Sequence, residues 1–101
     1  MIKFTVVTCT YNAEKELQRT LDSVQRQTYC SIEHIIMDGG SRDRTLQLVK
    51  AYQHRNAVGE SSHEIVVVSE PDKGLYDAMN KSIDRATGDY LVFMNAGDTF
   101  P

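Results

Sequence analysis

The chain contains no apolar run long enough to span a bilayer, and its first residues lack the charged-then-apolar order of a secretory leader. Basic residues are not in excess either. Eleven Lys and Arg stand against 14 Asp and Glu, a net charge of −3. That removes the electrostatic case for nucleic acid or an anionic membrane surface as a partner. Cysteine is scarce: Cys9 and Cys30 have no metal-like spacing, and Cys9 lies within an apolar stretch, so thiols in a reducing cytosol are expected rather than a disulfide. The three histidines, His34, His54 and His63, have no partner at metal-ligand spacing and are expected at the surface. Two phosphate-binding patterns are missing as well. Thr8-Cys9-Thr10-Tyr11-Asn12 contains no glycine where a dinucleotide fingerprint requires one, and no Gly-x-x-x-x-Gly-Lys-Ser/Thr loop occurs. No hairpin signal is present anywhere.

What is present is an alternation. Phe4 to Thr10 is rich in β-branched residues and apolar on both faces, a central strand. Asn12 is placed to cap a helix from Ala13 to about Gln27, where Leu17, Leu21 and Val24 recur at helical spacing. Thr28 to Ser31 connects to a second strand, Glu33 to Met37, ended by Asp38-Gly39-Gly40-Ser41. Ser41 or Asp43 caps a second helix with Leu46, Val49 and Tyr52 on its face, and the polar stretch Arg55 to His63 reads as a loop. A third strand, Ile65 to Ser69, is stopped by Glu70-Pro71-Asp72-Lys73-Gly74. A third helix follows from about Leu75 to Ala86, closed by Thr87-Gly88-Asp89 as a glycine cap. Tyr90 to Met94 is a last strand, expected to be buried on both faces, and it runs into Asn95-Ala96-Gly97-Asp98. Met37, Met79 and Met94 are expected as core filler.

An order of β-α-β-α-β-α-β within one domain implies an α/β fold: a parallel sheet with right-handed crossovers and helices on its faces. In such a sheet the carboxyl ends of all strands share one edge, where open α/β sheets bind ligands. Four loops then converge, carrying Tyr11 and Asn12; Asp38, Gly39 and Ser41; Asp72, Lys73 and Gly74; and Asn95 and Asp98. An aromatic ring (Tyr11) near an acid (Asp38) can hold a nucleobase, unless Tyr11 is a half-buried core ring and Asp38 merely caps a turn. Asp98, one carboxylate at a strand end, suits a Mg2+ or Mn2+ ion that bridges to substrate phosphate. A phosphoryl-accepting receiver would want further acids after the first strand, where Thr10, Tyr11 and Asn12 stand instead.

Thr8-Cys9-Thr10-Tyr11-Asn12, Asp38-Gly39-Gly40-Ser41-Arg42-Asp43-Arg44-Thr45, the run from Glu70 to Asn80 with Tyr76 and Ala78, and Phe93 to Asp98 follow one another as in the family 2 (GT-A fold) nucleotide-sugar glycosyltransferases, which the chain resembles over nearly its whole length. The resemblance implies a Rossmann-like GT-A nucleotide-binding half, with residues 1–101 ending before the acceptor and catalytic-base segment. It further implies a sugar transferase, inverting, that uses a nucleotide-diphosphate donor and a saccharide or lipid-linked acceptor in polysaccharide or glycoconjugate synthesis, of which this span binds the donor. Thr8, Tyr11 and Asp38 would meet base and ribose, and Lys73 or Gly74 the diphosphate or sugar. The last motif would be the metal-binding element, although it reads Asn95-Ala96-Gly97-Asp98 where many relatives carry two acids, leaving Asp98 as the strong ligand. No residue of the span answers for the catalytic base, which by the resemblance is expected beyond Pro101. The expected location is the cytoplasm, with membrane contact, at its inner face, only through segments outside this sequence. A non-catalytic nucleotide-binding or assembly module is the alternative.

Overall fold

A computed structural model describes residues 3–26, 31–58, 63–69 and 87–99. Strands β1 (Phe4–Thr10), β2 (Ile32–Asp38), β3 (Glu64–Ser69) and β4 (Tyr90–Phe93) form one sheet in the order β3-β2-β1-β4. Every adjacent pair is parallel. This is the expected Rossmann-like α/β architecture, a mainly parallel sheet with helices on its faces. β1 is central, as its two-sided apolar pattern predicts. The chain steps from β1 outward through β2 to β3, then returns to place β4 on the other side of β1. The two directions of travel part between β1 and β4, the position where such sheets open a crevice beyond their strand ends.

Helix α1 (Leu17–Gln25) buries Leu17, Leu21 and Val24, one apolar stripe at helical spacing. Helix α2 (Thr45–Val58) buries Thr45, Val49, Tyr52 and Asn56. Leu17 and Leu21 meet Val49, Tyr52 and β2's Ile36 in one core cluster, so both helices lie on the same face. On the opposite face Val7, Ile35 and Met37 form a second cluster and are equally shielded from water. Among the described residues no helix is long and apolar enough to cross a membrane.

Several expectations need correction. The first helix begins at Leu17 rather than Ala13, and Asn12 does not cap it. Asn12 sits at φ 47°, in the left-handed region that Asn tolerates better than most residues, and its side chain turns to another loop. Glu16 and Leu17 instead donate their N–H groups to the Ala13 carbonyl, at 3.2 and 3.0 Å. The stretch from Arg55 is not a loop at its start: α2 continues to Val58. Polar residues misled there, because Asn56 is buried and its amide donates to the His63 carbonyl, tying the end of α2 to the entry of β3.

β4 is not buried on both faces. Leu91 and Phe93, two residues apart on one face, are 40% and 41% exposed, and among the described residues β4 pairs with β1 alone. Gly88 has no positive φ and makes no left-handed cap; a Cβ there would lie 2.3 Å from Thr5 Oγ1, so glycine is required by close approach to β1. His34 and His63 are buried, not at the surface, whereas His54 is exposed as expected. His34 survives burial because Thr8 and Tyr52 hydroxyls flank its two ring nitrogens, each at 2.8 Å. Met37 and Met94 are core residues as expected. The expected third helix, with Met79, and the Thr28–Cys30 connector lie outside the described residues.

Candidate functional site

The carboxyl edge is built from the last residues of three adjacent strands. Thr10, Asp38 and Ser69 end β1, β2 and β3 and are direct cross-strand partners in the register, so all three point to the same face. Asp38 is 1% exposed, and an unpaired carboxylate could not remain there. It has five donors. Oδ1 accepts the hydroxyls of Thr10 (2.8 Å) and Ser41 (2.5 Å); Oδ2 accepts the N–H groups of Gly40 (3.0 Å) and Ser41 (2.8 Å) and the Ser69 hydroxyl (3.1 Å). Burial pushes the Asp38 carboxyl upward, but the Ser41 hydroxyl and N–H, with Thr10 and Ser69, outweigh it and hold the group below the usual carboxylate range. The turn that delivers these amides needs Gly40 at φ 87°, where a side chain would be strained. Gly39 precedes it, and its N–H extends the β1–β2 pairing by one bond to the Thr10 carbonyl, 2.9 Å.

The loop after β1 is stapled to the loop after β2. Asn12 N–H donates to Ser41 Oγ, and Asn12 Oδ1 accepts the Arg42 N–H, both at 2.8 Å. Farther along, the Ala13 N–H donates to Thr45 Oγ1 (2.8 Å) and the Glu14 N–H to Asp43 Oδ2 (3.2 Å). Amides of the segment leading into α1 are thus met by side chains at and just before the start of α2. Tyr11, on top of this double staple, is 62% exposed and so is no core ring.

The loop after β4 is held to the same rim by α1. The Thr20 hydroxyl donates to the Asp98 carbonyl at 2.7 Å and accepts the Gly97 N–H at 2.8 Å, while Gly97 sits at φ 101°. Asp98 is exposed; its Oδ2 accepts the Asn95 N–H at 2.9 Å, and Oδ1 has no hydrogen bond among the described residues. No group of three or more His, Cys, Asp or Glu side chains gathers as a metal centre among the described residues. One free carboxylate oxygen at an open rim still fits a hard divalent ion whose remaining ligands are substrate oxygens and waters.

Of the expected site residues, Tyr11, Asn12, Asp38, Gly39, Ser41, Asn95 and Asp98 lie along this single rim. Thr8 does not reach it: it is fully buried one step inside the sheet, bonded to His34. Asp72, Lys73 and Gly74 lie outside the described residues. Thr10, Ser69, Thr20 and Thr45 carry the rim's hydrogen bonds yet did not stand out in the sequence. The available signal was a hydroxyl at the last position of β1 and of β3, flanking an acid at the end of β2.

The class this arrangement defines is an open, parallel α/β sheet whose carboxyl edge carries an exposed aromatic, a buried carboxylate and an exposed carboxylate. Residues 5–101 match the glycosyl transferase family 2 sequence profile, and the chain belongs to that family. It is 36% identical over 96 residues to a PGL/p-HBAD biosynthesis glycosyltransferase of Mycobacterium tuberculosis, covering 95% of this chain and 36% of that protein. Its fold superposes with TM-score 0.87 on the mannosyltransferase PcManGT of Pyrobaculum calidifontis, solved with GDP-Man and Mn2+, at 25% identity over 99% of this chain and 29% of that one. The TarS 1-349 structure from S. aureus in complex with UDP gives TM-score 0.76 at 25% identity, over 97% and 28% of the two chains. The chain therefore spans about a third of the length of these relatives.

Proposed function

We propose that this span is the donor-binding part of an inverting glycosyltransferase that moves a sugar from a nucleoside-diphosphate donor to a saccharide or lipid-linked hydroxyl, in polysaccharide or glycoconjugate synthesis. The observation that carries the reading is the rim itself, where an exposed aromatic and a saturated carboxylate sit on two loops stapled to each other and an exposed carboxylate sits on a third loop held by α1. Tyr11 offers a flat face for the base. Asp38 fixes the positions of Ser41, Gly40 and, through Ser41, Asn12; among its donors the exposed Ser69 hydroxyl is the longest at 3.1 Å. A ribose hydroxyl or a base N–H takes that place when donor binds, so that Asp38 reads the nucleoside at little cost to the loops. Asp72, Lys73 and Gly74 serve the diphosphate and sugar.

Asp98, with Asn95 bracing its carboxylate, would hold a Mg2+ or Mn2+ ion, which when bound supplies Lewis-acid stabilisation of the departing diphosphate. No residue of this span is proposed as the base that takes the acceptor proton; the role proposed for the span is to bind the donor.

Calorimetric titration with UDP, GDP and TDP, each with and without Mn2+, tests the proposal. Heat is expected from at least one nucleotide, reduced by chelation and abolished in Asp38→Ala. Absence of heat from all three, with the protein folded, would remove the donor-binding reading.

A further inference from the structure

We propose that Arg42 selects the base of the donor. The inference rests on the donor-site reading above and adds a residue and a chemical preference to it. Three observations place Arg42 at the base end of the rim. Its backbone N–H is fixed to Asn12 Oδ1 at 2.8 Å, beside the exposed Tyr11. It follows β2, whereas Asp98 follows β4, and β1 with its Tyr11 lies between them in the sheet. A nucleotide with its base on Tyr11 and its diphosphate directed toward Asp98 therefore leaves Arg42 on the base side, away from the phosphates.

The third observation concerns charge. The Arg42 side chain is exposed and has no ion-pair or hydrogen-bond partner among the described residues. The neighbouring acids are already engaged. Asp43 accepts from the Thr45 N–H and hydroxyl and from the Glu14 N–H, and Asp38 is buried under its five donors. Arg44 differs from Arg42 in being tied to the start of α2, where its carbonyl accepts the Leu48 N–H at 3.1 Å. Arg42 is thus a guanidinium held by its backbone at the mouth, with its donors uncommitted.

A guanidinium offers donors only, in a planar fork. It pairs with bases that present carbonyl acceptors, O4 of uracil or O6 with N7 of guanine, and meets the exocyclic amines of cytosine and adenine donor to donor. The preference is therefore for keto over amino bases within each ring size.

The test is a set of dissociation constants for UDP, CDP, GDP and ADP with Mn2+, measured on the wild type, Arg42→Ala and Arg42→Lys. In the wild type the keto nucleotide of the better-binding ring size exceeds its amino counterpart by about ten-fold or more, the discrimination expected from unpaired polar groups in a recognition site. Arg42→Ala brings that ratio to within about three-fold while thermal unfolding stays unchanged, and Arg42→Lys retains part of it. An unchanged ratio in Arg42→Ala overturns the proposal. An equal loss for all four nucleotides also overturns it, since that marks a phosphate contact. Failure of every nucleotide to bind the folded wild type would instead sink the donor-site reading beneath it.

Discussion

Strand β2 carries a buried carboxylate at each end, and the two ends of the sheet are opposites. At the amino edge Glu33, 2% exposed, accepts the Thr5 hydroxyl at 2.9 Å and the N–H and hydroxyl of Thr87, each at 3.0 Å. Burial raises the Glu33 carboxyl, but the Thr87 N–H, the two hydroxyls and the charge of Lys3 together hold it below its ordinary range. At the carboxyl edge Asp38 is satisfied in the same way. The difference lies in who donates. Glu33 is served by β1 and by the entry to β4, with Gly88 packed onto Thr5 and Lys3 linking Glu64 and Thr87, so that edge is closed. Asp38 is served chiefly by loop residues, with the exposed Ser69 among its donors, and its surroundings present Tyr11, Arg42 and Asp98 to solvent. One carboxylate locks strands together; the other shapes a mouth.

Acid should break both ends and give the largest effect. His34, between the two carboxylates, is lowered from 6.5 to about 3 by burial and by nearby His63. Its unfolded form binds a proton that the folded form refuses, so stability falls as pH drops below 6.5 toward 3. Glu33 and Asp38, held below their ordinary 4.5 and 3.8, add their loss only as pH falls below those values toward their lower folded ones. Urea unfolding from pH 7.5 to 4 should show a slope of up to about 1.4 kcal/mol per pH unit for each proton taken up. A flat profile would contradict the buried, neutral His34.

Isosteric amides then separate the ends. Glu33→Gln and Asp38→Asn each turn an NH2 toward existing donors and should each cost about 2–3 kcal/mol of unfolding free energy. Nucleotide affinity should fall about ten-fold or more in Asp38→Asn and stay within about two-fold in Glu33→Gln, as read by titration of the folded protein. Equal effects on binding would erase the distinction between lock and mouth. Gly88→Ala sharpens it from the closed side: the added methyl has no room against Thr5, and a loss of about 1–3 kcal/mol in thermal or urea unfolding is expected with binding intact. The smallest effect on the fold belongs to the open side. Tyr11→Ala should leave the unfolding curve in place and weaken nucleotide binding by about 1–2 kcal/mol, the worth of one stacked base.

Local sequence carries much of this. The β-branched run of β1 and the 3.6-residue stripe of α1 are short-range patterns, and both elements form where they point. Asp38-Gly39-Gly40-Ser41 was legible as a strand-ending turn because glycine at φ 87° and an acid accepting the next amides are chemistry within four residues. Less legible were elements whose environment is set from far away. The apolar letters of Tyr90 to Phe93 describe a buried strand, yet among the described residues strand order puts them at the end of the sheet. His34 and Asn56 look like surface residues until Tyr52, Thr8 and the His63 carbonyl supply their partners.

By itself, then, the sequence determined the kind of sheet and which loops end its strands, since periodicity and turn chemistry act over a few residues. Tertiary structure alone decided that Thr10, Asp38 and Ser69 stand side by side, that Asn12 grips the loop after β2 instead of capping its own helix, and that one edge is sealed while the other is open. Those outcomes depend on parallel register and on hydrogen bonds between residues roughly 30 or more positions apart, where water competes until the strands are packed.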